Sequence, residues 1–132
     1  MGRHHISLSP DRSIVIVAVS GARNHDTYAE GTPQFLKFYL EQPARSILFD
    51  AVNAYSATES AAVIEMAEAC GRQMPASRVA IVGRDFNCAY ARLWRRALCT
   101  TGHEAMVFTS VCQAEAWLRT DVNANTNTLY VA

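Results

Sequence analysis

Asp50 and Asp85 each follow a short apolar run, Ile47-Leu48-Phe49 and Val79-Ala80-Ile81-Val82. Carboxylates placed there can act as general acid and base, or ligate a metal, if their surroundings set them apart. The plainer reading gives Asp50 loop amides to bind and Asp85 a helix to cap. Arg84 precedes Asp85 and offers a guanidinium to a phosphate or carboxylate. Between the two aspartates lies Asn53, followed by Ser56-Ala57-Thr58-Glu59. That spacing is a capping box, with the serine accepting an amide of the first turn and the glutamate reaching back. The same hydroxyls, Ser56 and Thr58, are candidate phosphorylation sites, because helix amides and dipole favour a phosphate at an N-terminus.

Other chemistry is thinly represented. The four cysteines, Cys70, Cys88, Cys99 and Cys112, stand 18, 11 and 13 residues apart, which matches no metal-binding spacing. All four fall in helical patterns, where free cysteine serves as a small buried hydrophobe. His4 and His5 point to opposite strand faces and cannot chelate one ion. His25 and His103 sit in loops, without a second histidine at helical spacing. Arg92, Arg95 and Arg96 share a helical face that suits either solvent or an acidic surface. There is no nucleophile elbow, phosphate-binding glycine loop or dinucleotide fingerprint, so neither cofactor nor metal is expected.

The elements that must position these residues follow from hydrophobic pattern. His4 to Ser9 alternates, as a half-buried edge strand does, and Pro10-Asp11-Arg12-Ser13 turns the chain back. Ile14 to Val19 is a central strand ended at Gly21, and Arg23 to Gly31 reads as irregular. Thr32-Pro33 opens a helix that buries Phe35, Leu36, Tyr39 and Leu40 and is closed by Pro43. A strand from Arg45 to Asp50 leads to a helix starting at Ser56 that buries Val63, Met66, Ala67, Cys70 and Met74. Arg78 to Gly83 is the next strand and Phe86 to Thr101 the next helix, with Tyr90, Leu93, Trp94, Ala97 and Leu98 inward. Glu104 to Phe108 and a helix capped by Ser110, burying Ala114, Trp117 and Leu118, complete the pattern. Strands apolar on both faces need cover above and below, so the runs after the first predict a parallel sheet flanked by helices. The expected order is ββαβαβαβα: α/β, with a five-stranded mixed, mostly parallel sheet. Ligands of such sheets bind beyond the carboxyl ends of the strands, a rim that carries Gly21, Arg23, Asp50, Asn53, Gly83, Arg84, Asp85, Thr109 and Ser110.

This order resembles the STAS domain (sulfate transporter and anti-sigma factor antagonist), most of all its bacterial branch of small single-domain proteins. Ser46-Ile47-Leu48-Phe49-Asp50, Arg78-Val79-Ala80-Ile81-Val82-Gly83 and Val107-Phe108-Thr109-Ser110 through Ala114-Glu115-Ala116-Trp117-Leu118 carry the resemblance. It implies a non-catalytic regulatory module that binds a protein partner around Asn53 to Glu59 and the helix that follows. The Asp-Ser-Ser-Gly-like turn phosphorylated in regulatory STAS proteins is replaced here by Tyr55-Ser56-Ala57-Thr58-Glu59-Ser60. The related lipid-binding CRAL-TRIO domain implies an alternative, a small apolar or lipid ligand in a cavity. An enzyme using Asp50, Arg84 and Asp85 is the third reading.

Bulk properties bound these options. The 132 residues carry 12 basic and 12 acidic side chains, so no global field draws nucleic acid or an anionic membrane. Half of the residues are hydrophobic, sufficient for a core without disulfides or metal. No apolar run approaches membrane-spanning length, and the N-terminus has no signal core. The expectation is one cytoplasmic STAS-like domain over residues 1–120 and a polar tail over 121–132. Zero net charge and the apolar Leu129-Tyr130-Val131 in that tail favour a homodimer.

Overall fold

The computed structural model describes residues 2–120, so the tail and the expectations placed on it lie outside the described residues. The chain forms β1 (Arg3–Leu8), β2 (Val15–Arg23), α1 (His25–Leu40), β3 (Ser46–Ser56), α2 (Ser60–Arg72), β4 (Arg78–Val82), α3 (Ala89–Thr100), β5 (Glu104–Phe108) and α4 (Val111–Leu118). One sheet holds the strands in chain order, β1 to β5, with β1 antiparallel to β2 and every other neighbour parallel. The α/β class and mixed sheet are as the pattern predicts.

Three crossovers that step the same way along a sheet put their helices on one face when each is right-handed. The packing agrees. α1, α2 and α3 bury Tyr28, Leu36, Tyr39, Val63, Ala67, Tyr90, Trp94 and Leu98 against Val15, Val19, Ile47, Phe49, Val79 and Ile81. The opposite face is served by α4, whose Ala114 and Leu118 pack on Ile14, Leu48, Ala80 and Val82. Arg78 fastens that helix. It stacks on the Trp117 ring at 4.1 Å and donates to the Trp117 and Thr120 carbonyls at 3.1 and 3.2 Å, where a helix C-terminus favours a cation.

Several boundaries depart from expectation. β2 does not stop at Gly21, which adopts a φ of 74° within the strand, and it runs on to Arg23. The stretch after it is helix, not irregular chain. Asn24 supplies the cap that Thr32 does not: Thr27 N donates to Asn24 Oδ1 at 3.1 Å and Asn24 N to Thr27 Oγ1 at 2.8 Å. Pro33 sits inside α1 on its exposed side, where water can satisfy the carbonyl of Ala29 that the proline leaves without a partner. β3 continues past Asp50 to Ser56. α3 starts three residues later than expected, at Ala89. Of the cysteines, Cys70 is buried, Cys88 partly so, and Cys99 and Cys112 are exposed, so the expected burial holds in full for Cys70 alone.

Two polar devices join the elements. Buried His103 accepts from Ser77 N at Nδ1 and donates from Nε2 to the Gly71 carbonyl at 2.7 Å, tying the α2 C-terminus to the start of β4. In the β1–β2 turn, Asp11 Oδ1 takes Ser9 Oγ, Ser13 N and Ser13 Oγ, while Asp11 Oδ2 pairs with Arg119 beyond α4.

His103→Ala leaves the Ser77 amide without its partner and takes one of two donors from the Gly71 carbonyl, which keeps Met74 N. It is expected to lower stability by about 2–3 kcal/mol in urea denaturation. Arg119 above all, then Ser13 and Ser9, hold the Asp11 carboxyl well below its ordinary value of 3.8. The folded value lies under the unfolded one, so this stabilisation is present above about pH 4 and is lost as acid is added below it. Thermal melts of Asp11→Asn should therefore show a shallower acid limb than the parent, and added salt should shrink the difference.

Candidate functional site

Between β2 and β3 the register slips by one residue. Ala18 faces Asp50, but the next pair is Ser20 with Asn53, so β3 carries an extra residue, a β-bulge. A bulge takes backbone groups out of the ladder, and those groups need other partners. Val52 N donates to Asp50 Oδ1 at 3.2 Å, and Arg84 Nη2 reaches the Val52 carbonyl at 3.4 Å. Two of the candidate site residues thus clamp one backbone residue. The bulge also resets strand alternation. Ala51 and Ala54 both enter the core beneath the helices, while Asn53 and Tyr55 face outward.

Ser56 is the last residue of β3, opposite Arg23, and not a helix cap. Its Oγ donates to the Thr58 carbonyl at 3.1 Å. Glu59 occupies the N-cap of α2 without a side-chain bond to the helix, so the expected capping box is absent. The strand persists because Gly21 to Arg23 offer β3 a partner beyond the bulge, and that pairing moves the helix cap three residues on, from Ser56 to Glu59. Asp85 lies in the loop from β4 to α3. It accepts Asn87 N at 2.8 Å, and its carbonyl accepts Cys88 N at 3.2 Å. It therefore closes a turn, and Cys88 is the N-cap of α3. Phe86 projects from this loop, and Ser60 at the start of α2 lines the same groove, so the two loops adjoin. The groove continues along α3 past Arg92, Leu93 and Arg96 to Met106 of β5.

The chemistry open to this arrangement is limited. Asp50 and Asp85 each engage a nearby backbone amide, but Asp85 does not cap α3, where Cys88 stands, and the amide Asp50 takes lies within β3 and not in a loop. Among the described residues no three histidine, cysteine or acidic side chains are placed to hold a metal. Burial pushes the Cys70 thiol up to about 12, which leaves it unreactive near neutrality. The three arginines of α3 are exposed, and Arg95 covers the Ala105 carbonyl on the edge strand β5.

The sequence reading overlooked Tyr55 and Phe86, which are 58% and 62% exposed at this end of the sheet. A large aromatic inside a polar loop, as in Arg84-Asp85-Phe86-Asn87, is the signal that would have found the second. The first needed the bulge. Arg23 was placed on the rim correctly, but it is buried, which nothing in its neighbours announces.

If Asp50 clamps the bulge, Asp50→Ala should cost about 1–2 kcal/mol in denaturant titrations, whereas Asp50→Asn, which keeps an acceptor oxygen, should stay near the parent. Equal loss in both variants would contradict the clamp.

No family model matches the chain, and no curated protein does. Solved structures do. A DUF3478-family protein with a SpoIIAA-like fold from Shewanella loihica PV-4 aligns with a TM-score of 0.63 at 22% identity, over 89% of this chain and 93% of that one. An anti-sigma factor antagonist from Mycobacterium paratuberculosis aligns at 0.62 and 12% identity, over 91% and 96%. The anti-sigma factor antagonist SpoIIAA in its unphosphorylated form aligns at 0.62 and 11% identity, over 91% and 99%. The chain has the SpoIIAA-like fold of these antagonists, as the STAS resemblance of its sequence implied.

Proposed function

We propose that this chain is a non-catalytic regulatory module that docks a protein partner on the carboxyl end of its sheet. The observation that carries the reading is the pair of outward aromatics at the carboxyl end of the sheet, Tyr55 in the last residues of β3 and Phe86 in the loop after β4. Exposed aromatics ringed by polar and charged groups are the usual anatomy of a protein contact. Here the ring is Asn53, Glu59, Arg84 and Asp85, all exposed, with Ser56 and Thr58 half-buried behind it. The bulge clamp ties down the backbone beside Tyr55, which lowers the ordering cost of association. Two of the structural neighbours are anti-sigma factor antagonists, which is consistent with a regulatory role.

Thr58 and Ser56 lie beside the uncapped start of α2, so a phosphate on either would change the charge of the docking surface without entering the core. The module is taken to be the body formed by residues 1–120, working in the cytoplasm. The neutral net charge disfavours nucleic acid as the partner. No helix among the described residues is long and apolar enough to cross a membrane.

Photo-crosslinking tests this. A benzophenone amino acid at position 55 or 86 should trap a discrete partner in cells, and the same probe at Leu40, exposed at the far end of α1, should not. Tyr55→Ser with Phe86→Ser should weaken the trapped complex by about tenfold or more, with stability changed by less than about 0.5 kcal/mol. Identical adducts from positions 40 and 86 would overturn the proposal.

A further inference from the structure

A cavity lies between the sheet and the helices α1 and α3. It has a volume of about 70 Å³ and is walled by Val17 and Ile47 of the sheet, Phe35 of α1 and Trp94 of α3, and by the buried side chain of Arg23. Arg23 is 4% exposed. Its Nη1 donates to the Arg3 carbonyl at 3.2 Å, its Nε has no partner, and no carboxylate pairs with it among the described residues. A guanidinium stays charged at any pH a protein survives, so burying it unpaired is costly.

The polar neighbours of Arg23 supply no carboxylate either. The Trp94 indole donates to the Tyr28 hydroxyl at 2.9 Å, and Tyr90 lines the same chamber. Burial pushes both phenols up, so they keep their protons. One corner of a mostly apolar chamber, with His4 and Thr32 elsewhere in its lining, therefore holds the free Nε–H of Arg23 and no carboxylate to meet it.

We propose that this cavity binds a small organic monocarboxylate, its carboxylate on Arg23 and the adjacent phenol, its short apolar body against Val17, Ile47 and Phe35. The volume fixes the size class. A water takes about 30 Å³ of liquid, so this chamber suits a short aliphatic chain or a single ring and not a membrane lipid. The site is separate from the docking surface, and its failure would leave that reading untouched.

The probes are hexanoate, benzoate and the neutral hexanamide, titrated into the full chain and followed by amide and indole NMR shifts. Saturable shifts at the Trp94 indole with both acids, and binding of hexanamide weaker by about tenfold or more, are expected. Arg23→Met should reduce hexanoate affinity by the same order. Because that change also removes the bond to Arg3, Val17→Phe provides a second arm: it keeps the guanidinium and fills the chamber, and it should abolish binding. The proposal is overturned if neither acid shifts the Trp94 indole at millimolar concentration, if hexanamide binds as well as hexanoate, or if folded Val17→Phe binds like the parent.

Discussion

Strands laid down in chain order, joined by right-handed crossovers, leave the helices no choice of side. This constraint organises the rest of the molecule. It collects α1, α2 and α3 on one face and makes the core there thick enough for Tyr28, Phe49, Tyr90 and Trp94 to pack edge and face together. It leaves the other face to the eight residues of α4, which need more than apolar contact to stay in place. Arg78 meets that need with a ring to lie on and two terminal carbonyls to bind, and Arg119 adds a link to the β1–β2 turn. Because each of these links crosses from one element to another, α4 is held at both its last turn and its cap.

The bulge in β3 shows how the same sheet generates a surface. Regular alternation would have pointed Asn53 and Tyr55 at opposite faces from those they occupy. One extra residue moves both outward, and the exposed groups of that residue are met by Asp50 and Arg84. Asp50 and Arg84, two of the three side chains that suggested catalysis, are occupied in shaping the backbone that displays Tyr55. Their acid and base chemistry is not needed for that, and the polar contacts they make explain why these residue types stand there.

The architecture was legible because it rests on period and hydrophobicity, which a single chain displays openly. Val15 to Val19, Ile47 to Phe49 and Val79 to Val82 are apolar on successive positions, and such runs are stable only between two covered faces. The beginning of α1 was harder to see. Tyr28, Phe35, Leu36 and Tyr39 recur at helical spacing, yet Pro33 and Gly31 pull the eye to a boundary in the middle. Asn24 and Thr27, three apart, were the relevant pair. The bulge left no mark in the sequence, because it depends on how far β2 extends to pair with β3. Arg23 gave no warning either, since arginine belongs on surfaces by default and its burial is decided by helices far along the chain.

A last consequence follows from Gly71. A side chain there would collide with Thr101, whose hydroxyl is anchored to carbonyls of α3. The ends of α2 and α3 are thereby seated backbone to side chain, closer than two ordinary residues permit. Positions 71 and 101 form a lock with one key: bulk gained at the first must be surrendered at the second. Divergent copies of this chain should vary at the two sites in concert, even where the residues around them drift freely.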